Sequence, residues 1–149
     1  MELLARAASE GRKPDPDELM RSVPYCTHLG VRARVADGQL VLDMPFAEHL
    51  VGNPILPALH GGVIGSLLET AALAQVVWEI GGPLLPKPVD ITIDYLRSGR
   101  AVESHARARI ARAGRRVVNV HAEMWQDDET KPIAALRGHF LLAQAEGTK

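Results

Sequence analysis

The segment "NPILPALHGGVIGSLLETAALAQ", Asn53 to Gln75, constrains this chain more than any other. From Gly61 the pattern is helical. It runs to about Ile80, where Gly81-Gly82-Pro83 stops it. The run is apolar nearly all round, so the rest of the chain must enclose it. Yet up to Gln75 it carries one carboxylate, Glu69, and it begins with a histidine and two glycines.

The enclosing elements read as strands. In "HLGVRARVADGQLVLDMPF" the pair Asp37-Gly38 is a favoured two-residue turn between runs rich in Val and Leu. Residues 46–59 read as a loop broken by Gly52, Pro54 and Pro57. After the helix, "VDITIDYL", "AVESHARARIAR", "RRVVNVHAEMW" and "PIAALRGHFLLA" alternate as strands do. Small residues at Ala106, Ala108 and Ala122 let a sheet approach something bulky. The expected architecture is α+β: a hairpin, one long helix, then an antiparallel meander, with a curved antiparallel sheet wrapped around the central helix. Aromatics are only 4% of the chain, so Ala, Val, Leu and Ile must build the core.

Short helices precede this unit. Residues 2–10 form one. A second runs from about Pro16 to Ser22, capped by Asp15 with Glu18 in a box-like spacing, and Pro24 stops it. The expected division is an N-terminal helical segment, 1–24, and a single domain, 25–149. A chain of 149 residues has room for one such core.

The net charge of -1 gives no overall pull toward nucleic acid or anionic membrane. No apolar run is read as reaching the roughly 18 residues of a membrane span, and no signal peptide is read. One cysteine, Cys26, precludes an internal disulfide framework and fits a reducing compartment. It is either a small apolar filler or a nucleophile. A cytoplasmic protein without metal or cofactor is expected.

On a helical wheel Gly62, Gly65, Ser66 and Glu69 share one side. The carboxylate therefore looks along a stripe of small residues, with a groove for a ligand beside it. Glu69 is either an active-site acid or a solvated or interface acid. At the helix start the first N–H groups lack intrahelical partners, and glycine lets a ligand approach them. An N–H there can hold a developing oxyanion, worth about 3 kcal/mol per donor. His60 stands at the mouth, as a cap, a core histidine or a site residue. Asn53 is either a turn residue before Pro54 or part of the same site.

These residues resemble the helix signature of hotdog-fold acyl-CoA thioesterases, in particular the phenylacetyl-CoA thioesterase-like group. "VDITIDYLRSGR", "ARIARAGRRVVNVHAEMW" and "PIAALRGHFLLA" are similar to its later strands, and the likeness covers about residues 25–143. The resemblance implies that Glu69 acts as general base or nucleophile, and that the Gly62 N–H polarises the thioester carbonyl. It implies that His60 and Asn53 lie near the thioester, with Gly61 and Ser66 as substrate-binding candidates. It also implies at least a homodimer with the site at the subunit interface, often paired further into a tetramer. The chain departs from the pattern in two places. Several members carry Asp where Glu69 stands. Some carry Ser or Thr where Pro88 stands, leaving Ser66 or Thr92 as weak substitutes for holding water.

Residues 97–116 hold seven arginines against the single acid Glu103. Coenzyme A offers phosphates that Arg matches with bidentate bonds. Arg97, Arg100, Arg115 and Arg116 stand at loop or turn positions where they can converge; Arg107 and Arg109 read as a solvated strand face. No aromatics are interleaved, so nucleic acid is a poorer partner. The reading is an acyl-CoA thioesterase. The alternatives are a hotdog (de)hydratase of enoyl or hydroxyacyl thioesters and a non-catalytic acyl-CoA-binding module.

Overall fold

A computed structural model describes residues 2–142. Three short helices come first: α1 (Glu2–Ser9), α2 (Pro16–Ser22) and α3 (Pro24–Leu29). Asp15 caps α2, accepting from the Glu18 N–H at 2.7 Å. Pro24 does end α2, but it also opens α3, which the sequence reading missed. Proline suits a first helical position because its missing N–H has no helical partner there. The expected boundary at residue 25 therefore falls inside α3. Asp17 ties α2 to the sheet, accepting from the Ala33 N–H and from Arg32 at 3.1 Å each.

Two strands follow, β1 (Arg32–Ala36) and β2 (Gln39–Met44). Asp37 and Gly38 both have positive φ, 52° and 74°, as the tight turn between them requires. The stretch read as a loop contains a 3-10 turn at Glu48–Leu50 and a small hairpin, β3 (Val51–Asn53) with β4 (Ala58–Leu59). The long helix α4 spans Gly61–Ile80. Then come β5 (Lys87–Tyr95), β6 (Ser104–Ala113), β7 (Val117–Trp125) and β8 (Ala134–Leu141). The last strand was expected to reach Ala143, which lies outside the described residues.

The main sheet is antiparallel in the order β1-β2-β6-β7-β8-β5. The expected meander of at least three strands is β6-β7-β8. Only β6-β7-β8 run consecutively; the hairpin joins on β6, and β5 crosses to the far edge beside β8. Helix α4 lies across the inner face, packed on β2, β6, β7 and β8. Leu67, Leu68, Ala72, Val76 and Val77 of α4 are buried against Ala106, Val118, Val120, Ala122, Met124, Leu136 and Phe140. Ala106 and Ala122 keep the sheet low beneath the helix, while Phe140 and three methionines fill space that aliphatics alone do not. By length and composition α4 could cross a membrane, contrary to expectation, but 61% of its most apolar stretch is buried inside the protein.

Sheet edges differ in chemistry. At β1, Arg32 pairs with Asp17 and Arg34 with Asp43, and α2 packs alongside. Charge and cover of this kind protect an edge. At β5, Val89, Ile91 and Tyr95 are 63%, 37% and 56% exposed, and no described element pairs with its outer side.

Candidate active site

The start of α4 is held by close backbone packing. The His60 N–H donates to the Leu50 carbonyl at 2.9 Å, and the Leu59 N–H to that of Gly99, also at 2.9 Å. A Cβ at Gly52 would lie 2.6 Å from His60 Cα and 2.9 Å from its Cδ2, so only glycine fits there. A Cβ at Gly99 would lie 3.0 Å from Ile64 Cδ1. The reading of Gly52 as a loop breaker missed this role; nothing local in the sequence marks it.

His60 is the N-cap of α4. Its Nδ1 accepts from the Gly62 N–H at 2.9 Å, while its carbonyl takes the N–H groups of Val63 and Ile64. The donor proposed for an oxyanion is thus already engaged, which corrects the picture of a free N–H at Gly62. A substrate carbonyl must displace the imidazole or share its hydrogen bond. On the other side of the same peptide, the Tyr95 hydroxyl donates to the Gly61 carbonyl at 2.9 Å.

The small-residue stripe is partly filled. A Cβ at Gly65 would meet Ile93 Cδ1 at 3.0 Å, and one at Gly61 would meet the Tyr95 ring at 3.5 Å and beyond. Strand β5 therefore lies against Gly61 and Gly65, which narrows the expected groove. Gly62, Ser66 and Glu69 remain along the accessible side. The Ser66 hydroxyl donates to the Gly62 carbonyl, and Thr70 Oγ1 to the Ser66 carbonyl, both at 2.7 Å. Glu69 is half-buried, with no hydrogen-bond or ion-pair partner among the described residues. Thr92 lines a hollow on the sheet's other face with Asp90 and Asn119, away from α4, and so cannot hold water for Glu69.

Asn53 acts in its turn: its Oδ1 accepts from the Ile55 and Leu56 N–H groups at 3.0 and 3.2 Å. That bond presents Ile55 and Leu56, 89% and 71% exposed, at a protruding tip. An open cleft of about 420 Å³ borders the helix start, lined by Ala58, Leu59, Gly61, Ile64, Tyr95, Leu96, Arg97, Ser98 and Gly99.

The four candidate arginines do not converge within one protomer. Arg97, on the cleft, donates to the Pro132 carbonyl at 2.6 Å, and Arg100 pairs with Asp127. Arg115 and Arg116 lie in the β6–β7 turn, at the opposite end of the sheet. The length of β7 separates the two pairs, on the order of 27 Å. Arg107 and Arg109 line a hollow of about 440 Å³ on the outer sheet face, as expected of a solvated face. There Arg107 pairs with Glu129 at 3.2 Å and Arg109 meets His121 at 3.1 Å. Burial pushes the Cys26 thiol up, with a partial offset from Thr70, which fits a filler rather than a nucleophile.

The fold and the helix start define a known class. The family model of the thioesterase superfamily matches residues 56–133. The chain belongs to the thioesterase superfamily, and its sheet wrapped around α4 is the hotdog fold. It is similar to the medium/long-chain acyl-CoA thioesterase YigI of Salmonella typhimurium, 30% identical over 99 residues that cover 54% of this chain and 60% of the relative. The chain thus spans about 60% of the length of that curated relative. A solved structure from Chromobacterium violaceum is 35% identical, with a TM-score of 0.74, and the match covers 98% of this chain and 100% of that one. A phenylacetic acid degradation-related protein from Ralstonia eutropha JMP134 is 25% identical with a TM-score of 0.72, covering 85% and 98%.

Proposed function

We propose that this protein hydrolyses an acyl-CoA thioester to the free acid and CoA, with Glu69 as the essential carboxylate. The observation that carries the reading is Glu69 itself: a half-buried acid without a partner among the described residues, in line with Gly62 and Ser66 on the central helix of a thioesterase-superfamily chain. As a general base, Glu69 takes a proton from water while the water oxygen bonds to the thioester carbon. The carbonyl electrons move onto oxygen, and the Gly62 N–H donates a hydrogen bond to that oxyanion. Collapse breaks the C–S bond, and the thiolate leaves to be protonated. As a nucleophile, Glu69 would instead attack the thioester carbon and expel the CoA thiolate, forming an acyl anhydride that water opens at the Glu69 carbonyl, releasing the free acid. Single turnover in ¹⁸O-water separates the two, since only the second route puts label into the Glu69 carboxyl.

The site is proposed to need two copies of the chain. Gly62 and Glu69 lie two turns apart on one helix, about 10 Å along its axis. The unpaired, apolar outer side of β5 supports a homodimer in which β5 of each copy pairs antiparallel with the other. That pairing brings the end of the partner's sheet that bears Arg115 and Arg116 toward the end bearing Arg97 and the cleft. The CoA phosphates would then be held by arginines of both copies, with His60, Asn53, Gly61 and Ser66 around the thioester. The family resemblance supports further pairing into a tetramer.

The test is Glu69→Gln against a panel of acyl-CoAs with thiol detection. The expected loss is about 100-fold or more in kcat, with the fold unchanged. Near-wild-type hydrolysis would sink the assignment. Enoyl absorbance without thiol release would mark a (de)hydratase, and tight CoA-ester binding without turnover a binding module.

A further inference from the structure

Tyr95 ends β5, paired with Ala134, and the Leu96 and Arg97 N–H groups both donate to the Ile133 carbonyl, at 2.8 and 3.0 Å. The residue is thereby fixed in place by backbone bonds on β8 and its approach. The residue is 56% exposed in the single chain. A buried tyrosine must find a protein partner for that group, but an exposed one need not. This hydroxyl nonetheless turns onto the Gly61 carbonyl at 2.9 Å, a partner 34 residues away.

That carbonyl and the Gly62 N–H belong to one planar peptide unit. A carbonyl oxygen has two lone pairs, so it can take the hydroxyl in addition to a helical partner. The result is a continuous chain from the Tyr95 O–H, through the Gly61–Gly62 peptide, to Nδ1 of His60. A donor on the oxygen side draws electron density from the peptide and strengthens its N–H as a donor; such cooperativity is on the order of 10–30% per bond. The hydroxyl also restrains rotation of the peptide plane.

We infer that Tyr95 is a positioning residue, whose hydroxyl orients and polarises the Gly61–Gly62 peptide so that the Gly62 N–H is a strong donor toward an anionic oxygen. This rests on the proposed role of that N–H in thioester hydrolysis. Tyr95 acts through the peptide and not on the substrate.

Three measurements test it. First, in ¹⁵N-glycine-labelled protein, the Gly62 amide proton, assigned by its loss in Gly62→Ala, is expected to move upfield in Tyr95→Phe. This readout is independent of turnover. Second, Tyr95→Phe is expected to lower kcat about two- to fivefold with KM unchanged. Third, 3-fluorotyrosine at position 95, a stronger donor, is expected to raise kcat above that of tyrosine, a graded response that a merely structural bond does not give. An unmoved amide, an unchanged kcat, a rise in KM matching the fall in kcat, or a flat response to fluorination would each overturn the inference. A wild-type protein that hydrolyses no acyl-CoA but shows the amide shift would sink the thioesterase reading and leave the polarised peptide standing.

Discussion

The backbone N–H of Gly62 donates to Nδ1 of His60 at 2.9 Å, so one imidazole both caps α4 and occupies the donor a thioester would use. An accepting Nδ1 carries no proton, which puts the neutral ring's proton on Nε2. The cap and the chemistry can be separated by substitution. His60→Ala is expected to lose about 1 kcal/mol of stability. His60→Asn, a good cap, should recover the melting temperature but not thiol release. Recovery of both would reduce His60 to a cap.

If the site spans two chains, two inactive variants should complement. Gly62→Pro removes the N–H at a first-turn position that tolerates proline, and Glu69→Gln removes the carboxylate. Each homodimer is expected to be inactive. Unfolded together in equal amounts and refolded, half the dimers are mixed, and each mixed dimer holds one intact site. About a quarter of wild-type activity should return. No recovery in a mixture shown to contain mixed dimers would place Gly62 and Glu69 of one chain in the same site.

Gly52 sets His60 through an absent side chain. Alanine there would put Cβ 2.6 Å from His60 Cα, a backbone atom that cannot step aside cheaply. Gly52→Ala should cost about 1–3 kcal/mol and lower kcat, because the ring leaves Gly62. A crystal structure of the variant with His60 undisturbed, or full activity, would overturn this.

What was legible in the sequence follows from how local the cause is. Helix α4 has its expected bounds because His60-Gly61-Gly62 and Gly81-Gly82-Pro83 punctuate it within a few residues. The Asp37-Gly38 turn was legible because only such residues tolerate positive φ at both positions. Helix α3 was missed because proline both ends one helix and starts another. The place of β5 at the far edge depends on pairing with β8 some 39 to 54 residues on, which alternation cannot reveal. At the site, the residue types of Glu69, His60 and the glycine pair were informative. Tyr95 lay within an alternating strand and Gly52 read as a breaker, because the contacts that give them roles are made with distant residues.

The bare side of β5 gives a test of assembly. Val89 is 63% exposed, on an edge with no covering element among the described residues. A lysine there supplies the charge that other edges use to repel pairing. Val89→Lys is expected to give a folded monomer by sedimentation, with hydrolysis lost because Glu69 and Gly62 no longer meet. A dimer that survives Val89→Lys and Ile91→Lys together would rule out the β5 interface. A monomer with full activity would rule out the shared site.

Asp43 ties three strands at the other edge of the sheet. It accepts from Arg34 of β1 and meets His105 of β6, each at 2.6 Å. Burial by itself raises the Asp43 carboxyl; hydrogen bonds from Arg34 and then His105 outweigh it and hold the group below its ordinary 3.8. A carboxyl lowered by folding favours the folded state while it is ionised. Its contribution is complete above the unfolded value, near 4, and is lost as pH falls through the lower folded value. Asp43→Asn is therefore expected to lower stability by about 1–2 kcal/mol at about pH 7. The gap between the variant and the wild type should close as pH falls below the ordinary carboxyl value of 3.8. Denaturant melts across that range check it, and a gap that stays constant with pH would mean that the ionised pairing does not stabilise the fold.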